Sequence, residues 1–150
     1  MKPWHVAIVI ISILAGYLML RPNLNVRNNN PLNIRFNAAN NWDGQVGENA
    51  GFAVFANPVY GFRAAYKLVK KYIGDYGLGS ISEIITRWAP VEDDNHTEAY
   101  IDYIAEKLNK FTWTPVSESE IPSLLYWMAE YEGANGAFSF DQVNNGIALA

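Results

Sequence analysis

SESEIPSLLYWMAEYEG, from Ser117 to Gly133, combines a helix-start pattern with a run of apolar residues, and the expectation of a helical fold rests on it. Ser117 and Glu120 have the spacing of a capping box, a pattern that begins helices. The apolar residues that follow recur at helical spacing, which predicts a helix with one buried face. That face comprises Ile121, Leu124, Leu125 and Met128.

The next step of four along this face is Glu132, so the helix is predicted to end with a carboxyl group pointing inward. Glu130 lies about 160° around the helix from Glu132 and faces outward. Burial raises the pKa of a carboxyl group, and a raised pKa suits a general acid that works near neutral pH. Two readings stay open: Glu132 is a desolvated general acid, or it reaches solvent because the helix end frays.

Composition narrows the class of protein. A chain of 150 residues, 50% hydrophobic and 14% aromatic, has room for one compact domain with a packed core. The formal charge is -4 and no basic stripe is present, so we predict no nucleic-acid partner. The chain has no cysteine, and its two histidines, His5 and His96, lie far apart. We therefore predict neither a metal site nor a cofactor.

The N-terminus is predicted to be a membrane anchor. WHVAIVIISILAGYLML, Trp4 to Leu20, carries no charge and spans roughly 25 Å as a helix, against the ~30 Å of a bilayer core. A cleaved signal peptide and a buried core helix are the alternatives. The flanking charges, Lys2 on one side and Arg21 and Arg27 on the other, do not fix the orientation. We assign residues 1–22 to the anchor and residues 23–150 to the domain.

The domain is predicted to be α+β and mainly helical. LNIRF (32–36) and GFAVFA (51–56) are β-prone runs around a turn-rich segment, which indicates a hairpin or a three-stranded ribbon. Helix starts are then predicted along the chain from capping residues. They are Asn57-Pro58, Ser80 with Glu83, Asp94 or Asn95, Ser117 with Glu120, and Ser139 with Gln142.

Other acidic and aromatic residues have strong structural explanations. Glu92, Asp93 and Asp94 come before a helix, where acids favour the N-terminal dipole. Asp43 and Glu48 lie in the turn-rich segment, where such residues are expected anyway. The aromatic side chains suit sugar stacking, but a chain this rich in aromatics also places them in its core. They include Trp42, Trp88, Tyr100, Tyr126 and Trp127.

Three blocks resemble the phage lytic structural proteins related to the cell-wall-degrading enzyme of enveloped double-stranded-RNA phages. They are RNNNPLNIR (27–35), NWDGQVGENAGFAVFANPVYGFRAAYKLVKKY (41–72), and ISEIITRWAP (81–90) with DNHTEAYIDYIAEKL (94–108). The resemblance covers nearly everything from Arg27 to the C-terminus. It implies a virion or lysis protein that degrades peptidoglycan, on a lysozyme-like, lytic-transglycosylase-like fold.

Within these blocks the resemblance implies substrate-binding roles for some positions. They are Asn29, Asn30, Arg35, Trp42 and Tyr100. The sequence departs from the family twice. Leu32 stands where the family usually has glycine, and VEDDN carries an extra residue, which leaves open whether Asp94 or Glu92 replaces the family's acid.

A weaker resemblance concerns bacterial glucosaminidases with the lysozyme-like fold, whose order N-x-F-G-I-K … F-x-x-Y-x-S is similar to residues 30–69. In those enzymes the helix with the catalytic glutamate precedes the asparagine segment, whereas here the apolar N-terminal run occupies that place. LLYWMAEYEGANG (124–136) resembles such a catalytic helix. We therefore hypothesise a circular permutation, which is physically allowed because domain termini are often close. It places Asn29 and Asn30 near Glu132.

The resulting expectation is a membrane-anchored phage enzyme that cleaves peptidoglycan between N-acetylmuramic acid and N-acetylglucosamine, with Glu132 as the general acid and base. A transglycosylase needs no second carboxylate, whereas a hydrolase would use Glu48, Asp43 or Asp94. The anchor would lie in a virion membrane, or in the host inner membrane with the domain facing the periplasm. Virion membrane or capsid proteins are further candidate partners. The alternatives are a peptidoglycan endopeptidase and a non-enzymatic virion membrane protein.

Overall fold

Residues 21–150 are described by the structure, which is a computed structural model. They form six α-helices, one two-stranded antiparallel sheet and two 3-10 turns, at Val91–Asp93 and Glu118–Glu120. The prediction of a mainly helical α+β chain with a small hairpin is confirmed. The elements are α1 (Leu24–Arg27), β1 (Gln45–Asn49), β2 (Phe52–Phe55), α2 (Pro58–Tyr76), α3 (Ile81–Trp88), α4 (Thr97–Leu108), α5 (Ile121–Tyr131) and α6 (Phe140–Ala148).

Most of the predicted helix starts are confirmed. The side chain of Asn57 accepts a hydrogen bond from the Val59 N–H at 3.0 Å, and Pro58 is the first residue of α2. Capping boxes are formed at Ser80, Ser117 and Ser139, and the one at Ser117 opens the 3-10 turn Glu118–Glu120, which leads directly into α5. Each satisfies N–H groups that have no partner within the helix.

The predicted start of α4 is wrong, because neither Asp94 nor Asn95 caps the helix. Asp94 takes a left-handed conformation with φ of 61° and closes the 3-10 turn. The Asn95 amide donates to the Pro90 carbonyl at 2.8 Å, so it also belongs to this turn. The helix begins at Thr97, whose hydroxyl donates to the Ala89 carbonyl at 2.6 Å. The acidic residues after Pro90 thus build a separate turn and do not extend α4.

The hairpin lies later in the chain than predicted. β1 falls inside the segment that was expected to be a turn, and Glu48 faces Ala53 across the sheet. The LNIRF segment contributes only one isolated bridge, between Arg35 and Phe52. The side chain of Asn30 explains this, because it bonds both the N–H and the carbonyl of Ile34 and so bends the segment into a loop.

One hydrophobic core joins the described elements. α2 packs on α6, α3 on α4, α4 on α5, and α5 on α6. The largest fully buried side chains come from the loop before the hairpin, from β2 and from four of the helices. They are Leu32, Phe55, Phe62, Val69, Ile81, Ile84, Ile85, Ile104, Ile121, Leu124, Leu125 and Met128.

Within residues 21–150, no helix combines the length and the apolar character that crossing a membrane requires. The predicted anchor spans residues 1–22, and residues 1–20 of it lie outside the described residues. The anchor therefore stays a prediction.

The asparagine-rich loop, residues 28–35, packs directly on the first turn of α2. A Cβ atom on Gly61 would lie 2.5 Å from the Pro31 Cδ and 2.7 Å from the Asn29 carbonyl oxygen. Neither atom is the end of a flexible side chain, so the loop or the helix would have to move. Gly61 thus allows the loop to sit against the helix backbone.

We expect Gly61→Ala to destabilise the protein by about 1–3 kcal/mol, because the new methyl group overpacks this contact. Gly74→Ala is the matched control in the same helix, since a Cβ there meets nothing within 4 Å. The control should be neutral or stabilising by up to ~1 kcal/mol, because alanine favours the helix. Chemical unfolding measures both, and equal effects of the two substitutions would contradict the close contact.

Candidate active site

Glu132 follows the last residue of α5 and is placed by the apolar face of that helix. Ile121, Leu124, Leu125 and Met128 are all fully buried, as the spacing predicted. The Glu132 N–H still donates to the Met128 carbonyl at 3.0 Å, so the helical path continues to the carboxylate-bearing residue. The helix end is therefore not frayed at Glu132.

The chain turns away directly after Glu132, and the N-terminal segment closes this turn. Gly133 has φ of 103°, a conformation that L-residues with side chains rarely adopt. The Asn23 amide donates to the Gly133 carbonyl at 2.7 Å, and a Cβ on Gly133 would lie 2.7 Å from the same amide nitrogen. Residues from both ends of the described chain thus fix the position of Glu132.

Two side chains hold the Glu132 carboxyl group. The Asn33 Nδ2 donates to Oε2 at 2.9 Å, and the Tyr100 hydroxyl donates to Oε1 at 3.3 Å. Burial raises the pKa of Glu132, and these two hydrogen bonds oppose the rise because they favour the charged form. Burial dominates, so the net pKa of Glu132 is above its ordinary value.

Asn33 reaches Glu132 because it occupies a left-handed turn, with φ of 50°. Asparagine tolerates this conformation better than other residues with side chains. The turn is closed by the Asn33 N–H, which donates to the Asn30 carbonyl at 3.0 Å. Asn33 was not among the predicted site residues, although it belongs to the asparagine-rich block RNNNPLNIR (27–35).

The predicted sugar-binding roles of Asn29 and Asn30 are replaced by structural ones. Asn30 is fully buried, and its amide donates to the carbonyls of Ile34 and Ala53, both at 2.9 Å. The Asn29 amide donates to the Phe55 carbonyl at 3.1 Å. These amides bond backbone groups and pin the loop that carries Asn33, and neither Asn29 nor Asn30 lines the groove at Glu132.

Tyr100 lies in the core, which is the structural one of the two roles expected for the aromatic residues. Only 2% of it is exposed, and its ring stacks on that of Tyr131 with centroids 3.9 Å apart. Its hydroxyl lies 3.3 Å from both the Met128 carbonyl and Glu132. Burial raises the pKa of Tyr100 well above its ordinary value, so the hydroxyl keeps its proton. Tyr100 therefore supports the carboxyl group and offers no surface for stacking a sugar.

A groove of about 540 Å³ opens at Glu132. Its lining combines amides, aromatic rings and charged groups from the loop before the hairpin, β2, α2, α3 and the 3-10 turn with its flanking residues. The amides are those of Asn33, Asn37, Asn40 and Asn95, the aromatic residues are Phe52, Tyr72 and Trp88, and the charged residues are Arg35, Arg87, Asp93 and Glu132.

Arg35, a predicted binding residue, does line the groove, together with an acid that had not been singled out. Arg35 Nη2 lies 3.7 Å from the Asp93 Oδ2, and its guanidinium also lies 5.7 Å from the Phe52 ring centroid. The ion pair links the loop before the hairpin to the turn after α3. The cluster Glu92–Asp94 pointed to this turn, but the sequence could not tell which of its acids faces the groove.

The remaining predicted residues lie elsewhere. Asp94 closes the 3-10 turn, and Glu48 accepts a hydrogen bond from the Gly51 N–H at the tip of the hairpin. The Trp42 ring packs against the core, with its Nε1 atom buried. Asp43 forms an ion pair with Arg63 at 2.8 Å. In the described part of the chain, none of the four lines the groove at Glu132.

The arrangement can therefore transfer a proton. A partly desolvated carboxyl group keeps its proton at a higher pH than an exposed one, and it faces a groove that can hold a polar ligand. After the proton has left, Asn33 and Tyr100 stabilise the carboxylate by hydrogen bonds. Such a group can act first as an acid and then as a base.

We expect Asn33→Gly to raise the pKa of Glu132 further, because a donor that stabilises the carboxylate is lost while the left-handed turn is kept. Asn109→Gly is the matched control, since Asn109 has a similar φ of 52° and caps α4 away from the groove. The measurement is an NMR titration of the Glu132 side-chain carboxyl carbon. An unchanged pKa in Asn33→Gly would contradict the observed hydrogen bond.

Glu132→Gln should stabilise the protein at neutral pH relative to the wild type. The folded pKa of Glu132 is raised above its ordinary value of 4.5, so the unfolded chain loses this proton first as the pH rises. The cost of the carboxyl group to stability grows from pH 4.5 to the raised pKa and stays at its full size above it, at about 1.4 kcal/mol per unit of pKa difference. Urea unfolding of both proteins across pH should show the advantage of the variant at neutral pH and its loss below 4.5. A difference that does not vary with pH would exclude this origin.

The chain is similar to a curated phage protein over almost its whole length. The chain is 32% identical to Protein P5 of Pseudoalteromonas phage PM2, over 156 aligned positions that cover 98% of this chain and 96% of the relative. No family model matches the chain. Because the match spans almost the whole of both chains, it includes both the asparagine-rich loop and the helix that ends at Glu132.

Proposed function

The chain belongs to the same family as Protein P5 of Pseudoalteromonas phage PM2, and from this premise we propose that it is a phage enzyme that cleaves the glycan strands of peptidoglycan. The bond cut is that between N-acetylmuramic acid and N-acetylglucosamine. The domain would have a lysozyme-like fold in which the catalytic helix lies near the C-terminus. The apolar N-terminal run would tether it to a virion membrane or to the host inner membrane, with the domain facing the periplasm.

The observation that carries the proposal is the state of Glu132. It is an acid with a raised pKa, held by Asn33 and Tyr100, and it opens into a groove. A glycosidic oxygen is a poor leaving group unless an acid protonates it, and a partly buried carboxyl group supplies that proton. Perturbed acids in clefts are also common at functional sites.

The lining of the groove suits a strand of N-acetylated sugars. Asparagine amides both donate and accept hydrogen bonds, so they match acetamido and hydroxyl groups. The apolar faces of sugar rings pack well on aromatic side chains, and Trp88, Tyr72 and Phe52 offer such surfaces. The resemblance to phage lytic proteins supports the same substrate.

In the proposed mechanism, the protonated Glu132 donates its proton to the glycosidic oxygen. The bond between this oxygen and C1 of the N-acetylmuramic acid breaks, and positive charge develops on the sugar ring. The Glu132 carboxylate, held by Asn33 and Tyr100, then removes the proton from the C6 hydroxyl of the same sugar. The C6 oxygen bonds to C1, which gives a 1,6-anhydro product and returns the proton to Glu132.

This transglycosylase reaction needs one carboxyl group only. A hydrolase would need a second acid to hold water or stabilise charge, and the groove offers Asp93, which is paired with Arg35. Because that carboxylate already has a cationic partner, we favour the transglycosylase. A muramidase that uses Asp93 is the alternative.

The two other sequence-based alternatives are less well supported. A non-enzymatic virion protein would be expected to expose Glu132 outside any groove, whereas Glu132 lines one. An endopeptidase normally relies on cysteine with histidine or on a zinc site, and the chain has no cysteine. Neither alternative explains why a single acid is held at the end of an apolar helix.

We expect Glu132→Gln to lower glycan cleavage by at least about 100-fold, because the only proton donor of the mechanism is removed. Glu130→Gln is the matched control on the same helix, since Glu130 accepts hydrogen bonds from the Gly136 N–H and does not line the groove. Mass spectrometry of digested peptidoglycan measures the products. Anhydro ends identify a transglycosylase and reducing ends a hydrolase.

Two results would overturn the proposal. One is undiminished cleavage by Glu132→Gln, which would remove the acid from the mechanism. The other is the release of new amino groups from peptidoglycan without cleavage of the glycan, which is the signature of an endopeptidase.

A further inference from the structure

One arginine at the groove lies against two tyrosine rings. Arg87 lies in the last turn of α3 and lines the groove together with Tyr72 and Trp88. Its guanidinium carbon lies 5.8 Å from the ring centroid of Tyr72 and 5.4 Å from that of Tyr76. The two tyrosine rings are nearly parallel, at 21°, with centroids 6.3 Å apart. The guanidinium therefore packs on a pair of rings.

Arg87 also has no acidic partner in the described part of the chain. The ion pairs of residues 21–150 engage Arg35 with Asp93 and Arg63 with Asp43, but no carboxylate lies within 4.0 Å of Arg87. The chain carries more acids than bases, with a formal charge of -4. A cation that faces a groove without a carboxylate partner is therefore available to an anionic ligand.

The two rings prepare this arginine for such a ligand. Aromatic rings packed beside a guanidinium restrict its rotamers, and the N–H groups at its edge that the Tyr72 hydroxyl does not engage can bond a ligand. Those edge groups match the two oxygens of a carboxylate in a bidentate pair. A lysine in this place would bring the charge without the planar fork.

We propose that Arg87 binds a carboxylate of the peptide stem on the glycan strand that occupies the groove. This inference rests on the proposed function and extends it, because it makes stem-bearing strands the preferred substrate. The sugars of such a strand are uncharged, and its free carboxylates belong to the peptide. Removal of the stem exposes a second source of the same chemistry, the lactyl carboxylate of N-acetylmuramic acid.

The test measures binding with the full-length chain in detergent micelles, in a Glu132→Gln background that prevents turnover. The ligands are soluble stem-bearing glycan strands, the same strands with their carboxylates converted to amides, and strands from which an amidase has removed the stems. We expect Arg87→Gln to weaken binding of the stem-bearing strands roughly tenfold. Conversion of the carboxylates to amides should weaken binding by the Glu132→Gln protein that keeps Arg87 by the same factor. It should not weaken binding by the Arg87→Gln variant any further.

Two further variants separate the effect of the planar guanidinium group of Arg87 from the effect of its positive charge. Arg87→Lys keeps the charge and should recover only part of the loss, because the planar fork is gone. Lys71→Gln is the matched control, since Lys71 lies 5.8 Å from the Tyr76 ring centroid but does not line the groove. It should leave binding unchanged. Thermal unfolding of each variant shows whether a loss of binding reflects a loss of folding.

The inference is overturned if Arg87→Gln binds all three ligands as tightly as its parent does. It is also overturned if amidation and the substitution weaken binding independently of each other, or if Arg87→Gln weakens binding of the amidase-treated strands only. The last result would move the contact to the lactyl carboxylate. Failure of the proposed function looks different, because the wild type would then bind stem-bearing strands without cleaving them. Cleavage by the wild type, together with binding that does not depend on Arg87, would leave the proposed function intact and remove this inference alone.

Discussion

The hydrogen bond between Asn33 and the Glu132 carboxylate joins two segments that are 99 residues apart, and the site depends on it. Each partner is fixed independently. Asn33 sits in a left-handed turn that Asn30 pins to the hairpin, and Glu132 ends a helix whose apolar face is fully buried. Without the amide of Asn33, a partly desolvated carboxylate would lose its closest donor, which is costly in a protein interior.

Environment, and not residue type, sets the chemistry of the acids in this chain. Lys110 and Ser117 bond the carboxylate of Glu120 and lower its pKa to about 2, so Glu120 is ionised at neutral pH. Glu132 has no cationic partner among the groups that shift its pKa. Burial raises this pKa, although hydrogen bonds from the neutral Asn33 and Tyr100 side chains lower it in part. The first arrangement holds the 3-10 turn Glu118–Glu120 against the segment after α4, whereas the second makes the carboxyl group release its proton at a higher pH than an exposed one.

The asparagine-rich segment shows how polar residues can build a rigid wall. Asn25 and Asn30 are fully buried, and the amides of Asn25, Asn29 and Asn30 all donate to backbone carbonyls. These bonds take the place of a third strand beside the hairpin. The loop therefore holds its shape without regular secondary structure, and it can present Asn33 and Arg35 to the groove while its neighbours stay inside.

Local pattern was enough to predict the capping boxes and the buried face of α5, because these follow from contacts within a few residues. It left open whether Glu132 stays on that face or reaches solvent. It could not predict the bend of LNIRF or the start of α4, where side chains bond backbone groups and override β and capping propensities. Nor could it choose Asn33 over Asn29 and Asn30, or Asp93 over Asp94. Neighbouring residues of the same type have the same chemistry, and only the path of the folded backbone decides which of their side chains faces the groove. Helical spacing in the sequence leads from the apolar face of α5 to Glu132, because that spacing depends only on residues within a few turns. The fold decides that this acid stays half-buried, because the Asn33 and Tyr100 side chains that hold it come from distant segments.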